Sequence, residues 1–153
     1  MSLAKLVRRP LIVAAARKLA EGEGLEALTL RRLAAEVGIQ APSLYKHFPD
    51  KAALLAAVEA DVNAELGRLL AVWSQERGGD LNRLARGYRR FAQEHRQLPK
   101  RLRPTRAALE AVSLLAGGPD RALAFLAMAD GLARLEAPDS AWEAGVGAFE
   151  KRP

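Results

Sequence analysis

From residue 51 onward, apolar side chains recur at spacings of three and four. Leu55, Val58, Val62, Leu66, Leu69 and Trp73 trace one stripe along a helix expected to run to about Ser74. Leu81, Leu84, Ala85, Tyr88, Phe91, Ala92 and His95 form a second stripe of the same period, behind Asp80 as its N-cap. Thr105 caps a third helix to about Ala116, which Gly117-Gly118-Pro119 ends. Two more are expected near 120–136 and 139–150, separated by Pro138. Upstream of residue 51 the elements are shorter. Pro10 suits a first turn for a helix from Leu11 to Glu21, and Gly22 and Gly24 break the pattern. Thr29 caps Leu30–Val37, Gly38 closes it, and Pro42 opens a short helix reaching His47 or Phe48. Asp50 is the N-cap of the long helix, and Pro49 keeps that helix from fusing with the one before it. Gly78-Gly79 marks the clearest boundary, and no strand pattern, repeat or low-complexity tract is visible.

Composition agrees with an all-α chain. Half of the 153 residues are apolar, Ala and Leu dominate, and β-branched residues are few. A chain of this size buries roughly 70% of its unfolded surface, enough for a core. There is no cysteine, hence no disulfide framework, thiolate metal site or thiol nucleophile. No apolar run approaches the roughly 20 residues that span a bilayer, and MSLAKLVRRP shows no apolar region with a cleavage site. A cytoplasmic location without membrane contact is the expectation.

The chemistry concentrates between Gly24 and Val58: GLEALTLRRLAAEVGIQAPSLYKHFPDKAALLAAV. Leu33, Ala34 and Val37 face the next helix, where Ala34 must be small for close approach. Gly38 lets the backbone turn sharply, and Ile39 and Leu44 complete a small core. The second helix exposes Gln40, Ser43, Lys46 and His47, a polar set suited to a major groove. Taken singly these residues say little: Tyr45 and Phe48 also suit a core, and Lys46 and Arg32 also suit a solvated face. The conjunction of Thr29, Ala34, Gly38, the PSLYKHF run and Asp50-Lys51 at fixed offsets is far more specific.

That conjunction resembles the DNA-binding domain of TetR-family transcriptional regulators, and the likeness covers residues 9–60. It implies an all-α fold in which an N-terminal three-helix helix-turn-helix domain (1–50) is joined by a long helix (51–74) to a short C-terminal helical dimerisation and effector domain (51–153). It implies that Gln40, Ala41, Ser43 and Lys46 lie nearest base edges. Gln and Ser donate and accept there, and Ala meets a thymine methyl. Tyr45, His47 and Lys51 match positions that hold phosphates, Thr29 and Arg31 match positions on the flanking backbone, and Lys5, Arg8 and Arg9 form a basic arm. Phosphate contacts set register, whereas base contacts specify sequence. The implied partners are double-stranded DNA with a near-palindromic operator, a second copy of the chain, and a small-molecule effector. Two recognition helices would then sit roughly 34–36 Å apart.

Beyond residue 60 the resemblance is looser, and the chain is short for the family. Arg83–His95 resembles an early C-domain helix. Phe125–Glu136 resembles a helix that pairs across the dimer, with Asp130 where many relatives carry histidine. Leu123, Leu126 and Leu135 with Trp142, Val146 and Phe149 are expected to form a bundle between subunits, or else to pack within one. Charge is uneven: residues 1–51 hold nine Lys/Arg against five Asp/Glu, and 74–106 hold ten against three. The second block reads as a solvated helix face, or as an attraction for an anionic effector through Arg83, Arg86, Arg90, Arg96, Arg101 and Arg103. Trp73, Tyr88 and His95 are the polar-tipped aromatics expected in an effector pocket, with core packing as the alternative.

Other functions fit less well. A helical interaction module with this fold and only non-specific DNA binding is the alternative, and it would show no preference among DNA sequences. An enzyme is not expected: the two histidines are far apart in sequence, no nucleophile elbow, H-E-x-x-H or phosphate loop is present, and Glu59, Asp61 and Glu65, without histidine or another carboxylate cluster, are poor metal-site candidates. No cofactor is expected.

Overall fold

The computed structural model describes residues 3–75, 80–98 and 105–150, with side chains from residue 9 onward. Every element in them is helical: α1 (Leu3–Glu23), α2 (Leu30–Glu36), α3 (Ala41–Tyr45), α4 (Lys51–Gln75), α5 (Leu81–Glu94), α6 (Arg106–Ala116), α7 (Pro119–Arg134) and α8 (Asp139–Glu150). The Gly78-Gly79 boundary, the side chains of Lys5 and Arg8, and those of Arg101 and Arg103 lie outside the described residues.

The elements begin where the capping chemistry predicts. Thr29 Oγ1 accepts from the Arg32 N–H, Asp50 Oδ1 from Ala53 at 2.7 Å, Asp80 Oδ1 from Arg83 at 2.7 Å, and Thr105 Oγ1 from Ala108. Each satisfies one of the amides that a helix N-terminus leaves without a partner. Asp50→Ala is expected to cost about 1 kcal/mol, measurable as a lower urea midpoint with an unchanged slope.

Two expectations are corrected. Pro10 does not open the first helix, which starts at Leu3 and carries Pro10 inside it. Proline there forfeits one backbone hydrogen bond, and the neighbouring Arg9 guanidinium, 5.0 Å from the Phe48 ring centroid, helps hold that turn in place. The buried line of α4 runs through Leu54, Val58, Val62, Leu66 and Leu70, while Leu55, Leu69 and Trp73 are only half-buried. Steps of four overshoot the 3.6-residue turn, so the buried line winds slowly around α4 instead of keeping to the three-and-four stripe.

Those units are Met1–Val62 with His95–Arg101, and Asn63–Glu94 with Leu102–Pro153. They divide inside α4, between Val62 and Asn63, and the first takes in a piece of chain that follows α5. The core of the first includes Ala16, Leu28, Leu33, Leu44, Phe48 and Leu54, all fully buried. In the second, α5, α7 and α8 pack around Leu84, Phe125, Leu126 and Val146, with Phe125 edge-on to Phe149 at 5.5 Å. Gly87 on α5 admits the Trp73 ring of α4, because a Cβ at that position would sit 2.7 Å from ring carbons. Arg121 ties two helix ends together, donating to the Ala116 carbonyl at 2.6 Å and to the Phe149 carbonyl at 2.5 Å.

Of the apolar set expected at a subunit boundary, Leu126, Trp142 and Val146 are buried within their own unit and Phe149 is half-buried. Leu123 and Leu135 stay exposed, as does Leu114 on α6. Among the described residues no single helix is long and apolar enough to cross a membrane. Only α6 and α7 taken together, bent by 104°, meet that test of length and composition, and both pack within the second unit.

Candidate nucleic-acid interface

The site is built by α2, α3 and the turn between them. Leu33 and Ala34 of α2 and Leu44 of α3 are buried, which clamps the two short helices together. Gly38 turns the chain with φ of +67°, a left-handed conformation that a side chain disfavours. The Gly38 and Ile39 amides donate back to the Ala35 and Ala34 carbonyls, which satisfies two of the carbonyls at the end of α2. Ile39 and Val37 are not buried with that core: Ile39 is half-buried or less and Val37 stays at the rim.

With Leu44 and Phe48 turned inward, α3 presents the other side to solvent. Gln40, Pro42, Tyr45 and Lys46 are exposed, while Ala41, Ser43 and His47 are half-buried. Tyr45 is 52% exposed and Phe48 is 0% exposed, so of the two aromatics only Phe48 is a core residue. Gln40 is the N-cap of α3, yet its side chain makes no capping hydrogen bond. Its amide is therefore not committed to the helix end. Thr29 and Arg31 are exposed at the front of α2, with the Thr29 hydroxyl oxygen occupied as acceptor by its cap. Arg32 pairs with Glu23 at 2.5 Å, which accounts for it as a surface ion pair.

Lys51 holds a post that sequence reasoning missed. Its Nζ donates to the Leu25 carbonyl at 2.9 Å and so ties the loop before α2 to the start of α4. Two of its three protons remain available. No motif announces such a bond, because its acceptor is a backbone oxygen 26 residues away.

A second group missed at the level of sequence joins three segments of the first unit. Arg17 on α1 donates to Glu21 at 3.0 Å and to Asp61 of α4 at 3.1 Å, and Glu21 Oε1 lies 2.8 Å from His95 Nδ1. Partial burial pushes the Glu21 carboxyl upward, but hydrogen bonds and charge from Arg17 and His95 outweigh it and hold it below the usual range. A depressed carboxyl contributes stability above its unfolded value and loses it as pH falls through the folded one. Acidification below about pH 4.5 is therefore expected to lower Tm less in Glu21→Gln than in the parent, with calorimetry as the check.

The three residues expected around an effector divide between the two units. His95 belongs to the first unit, and Trp73 and Tyr88 belong to the second. Tyr88 is buried on α5, where its hydroxyl donates to Asp130 of α7 at 3.1 Å. Burial first, then the Asp130 charge and hydrogen bond, push the phenol well above its ordinary range. Arg134 holds the other Asp130 oxygen at 2.8 Å. A groove of about 180 Å³ between α5 and α8 is lined by Arg86, Arg89, Trp142 and Glu143 among others, but by none of those three. Arg86 is exposed on α5, and Arg83 and Arg90 lie at its solvent edge. Among the described residues no group of three or more His, Asp or Glu is placed to hold a metal.

Two short helices clamped at a glycine turn, with a polar outer face and a capped long helix behind them, define a helix-turn-helix unit. Residues 12–58 match the family model described as bacterial regulatory proteins, tetR family. Over 52 residues it is 44% identical to the class C tetracycline repressor protein of Escherichia coli, a stretch covering 34% of this chain and 24% of that protein. The chain spans about a third or less of the length of the curated relatives it matches. Among solved structures, a TetR from Acinetobacter baumannii AYE shares the fold with a TM-score of 0.61, at 24% identity over 90% of this chain and 92% of that one. A possible TetR family transcriptional regulator from Streptomyces coelicolor A3(2) aligns with a TM-score of 0.54, at 26% identity over 82% of this chain and 69% of that one.

Proposed function

We propose that the chain is a sequence-specific transcriptional regulator of the cytoplasm, a repressor that binds a near-palindromic operator as a homodimer and is released by a small-molecule effector. The observation that carries this reading is the outer face of α3: Gln40, Tyr45 and Lys46 exposed above a buried Leu44 and Phe48. A rigid short helix with uncommitted polar side chains is what reading base edges in a major groove requires. One such face makes few contacts, and two-fold pairing doubles them. An effector held by the C-terminal half would act through α4, whose turns belong to both units.

Selection of bound duplexes from a random DNA pool tests the reading. The expected result is an enriched palindrome with half-sites about one helical turn apart, bound with affinity that falls steeply as salt rises. Equal affinity for all sequences would point instead to an interaction module with only non-specific DNA binding.

Leu123 and Leu135, 52% and 79% exposed, are the residues we assign to the dimer surface. Leu123→Asp combined with Leu135→Asp is expected to shift sedimentation from dimer to monomer and leave the helical signal unchanged. A dimer that persists would remove these residues from the interface.

A further inference from the structure

Two matching stripes line the groove between α5 and α8, and all of their residues belong to the second unit. On α5 they are Asn82, Ala85, Arg86 and Arg89, and on α8 they are Asp139, Trp142, Glu143 and Val146. Each set has the spacing i, i+3, i+4, i+7 that keeps side chains on one face of a helix. The floor is apolar: Ala85, Trp142 and Val146 are 3%, 6% and 2% exposed. The single methyl group of Ala85 leaves open a space that a longer side chain on α5 would fill. Most of the polar rim is already paired. Arg89 lies over the Trp142 ring, its Cζ 5.8 Å from the centroid, and its Nη1 donates to Asp139 at 2.5 Å. Asn82 donates to Glu150. Arg86 and Glu143 are the exceptions. Both are exposed, one on each wall, and neither has a hydrogen bond or ion pair among the described residues.

We propose that this groove binds a small zwitterion with an apolar body, namely an α-amino acid with an aliphatic side chain. The Arg86 guanidinium takes the carboxylate, whose two oxygens match its planar fork. Glu143 takes the ammonium group, and the side chain rests on Ala85, Trp142 and Val146. Two cations and two anions line the groove, so their charges cancel. Such a field favours neither a simple anion nor a simple cation, whereas a ligand with both charges meets both uncommitted groups. Size sets the other limit. About 180 Å³ is below the roughly 300–1,000 Å³ that accommodate drug-sized ligands. The binding site stands on this geometry alone; its role as the effector site rests on the regulator reading above.

The test titrates the full chain with L-leucine, with isocaproate, which lacks the amine, and with isoamylamine, which lacks the carboxylate. NMR follows the Trp142 indole N–H, assigned through Trp142→Phe. L-leucine is expected to move this resonance saturably and to bind about three- to tenfold more tightly than either analogue, as for one charge-assisted contact at a wet surface. Arg86→Gln should bind L-leucine and isoamylamine within about twofold of each other, and Glu143→Gln should do the same for L-leucine and isocaproate. Both residues are exposed, so neither change should disturb the fold. Ala85→Leu should fill the groove and abolish the shift. The site would be overturned by the absence of a saturable shift, by equal affinity for the three compounds, or by discrimination that survives both Gln variants. Binding that survives Ala85→Leu in a folded chain would overturn it as well. Affinity for the duplex selected from the random pool is expected to fall about fivefold or more with saturating L-leucine in the parent, and not in Ala85→Leu. Unchanged affinity in the parent would remove the effector role. If the parent selects no sequence, the regulator reading fails by itself, and the NMR titration still decides the site.

Discussion

Replacing Gln40, Tyr45 and Lys46 together by alanine is expected to remove the preference for the selected operator, with at least about a hundredfold loss of affinity. Tm should move by no more than about 5 °C, since each surface change away from caps and cores usually costs under about 0.5 kcal/mol. The two halves of that expectation come from different observations. None of the three residues is buried, and Gln40 makes no capping bond that α3 would lose. Their removal therefore leaves the Leu33–Ala34–Leu44 clamp intact. The large effect on DNA follows from arithmetic: each good base-edge contact is worth about 1–3 kcal/mol, and the proposed two-fold dimer would make each one twice. The slope of log affinity against log salt should also flatten by about one unit for each phosphate that Lys46 neutralises, whereas the uncharged Tyr45 leaves the slope unchanged. Competition binding against random duplex, repeated at several salt concentrations, measures both quantities. Parent-like discrimination in the triple variant would take the recognition face away from α3. Lys51→Ala is a poorer probe, because its Nζ also holds the Leu25 carbonyl and its loss would loosen the loop before α2.

What is legible in the sequence is what short-range physics dictates. The four N-caps depend on side chains that reach only three residues forward, and all four form. The glycine turn at 38 is equally local. Longer-range features are less legible, each for a definite reason. The stripe expected along α4 passes through Leu55 and Leu69, whereas the buried line steps by four and takes Leu54 and Leu70. Trp73 and Tyr88 have the chemistry of pocket aromatics, yet Trp73 fills the space left by Gly87, and Tyr88 is committed to Asp130. His95 continues the apolar period of α5, but the helix stops at Glu94 and the histidine joins the other unit through Glu21, 74 residues back. Composition and periodicity carry no information about which unit will claim a turn after a helix ends. In the candidate interface the exposed face is legible, because inward Leu44 and Phe48 leave the polar positions only one direction. The Lys51 bond to a distant backbone oxygen is not.

Phe48→Ala is expected to produce the largest loss of stability, about 3–5 kcal/mol, the usual cost of emptying a fully buried phenylalanine site. Phe48 is 0% exposed, its amide donates to the Leu44 carbonyl, and the Arg9 guanidinium lies over its ring. One side chain thus closes α3 from below and anchors α1 from the side. Alanine would leave a void beneath the helix whose outer face carries Gln40, Tyr45 and Lys46. Partial collapse into that void would shift α3 relative to α2 before the unit unfolds. Tm should fall by roughly ten degrees or more, and operator affinity should drop even at temperatures where the chain is still folded. Phe48→Leu keeps most of the volume and should recover more than half of both losses. Tyr45→Ala is the matched control: three residues away but 52% exposed, it should spare Tm while weakening operator binding. The pair separates holding the recognition helix from reading with it. Equal effects of Phe48→Ala and Tyr45→Ala on Tm would mean that the inward and outward faces of this segment are misassigned, and the interface on α3 would fall with them.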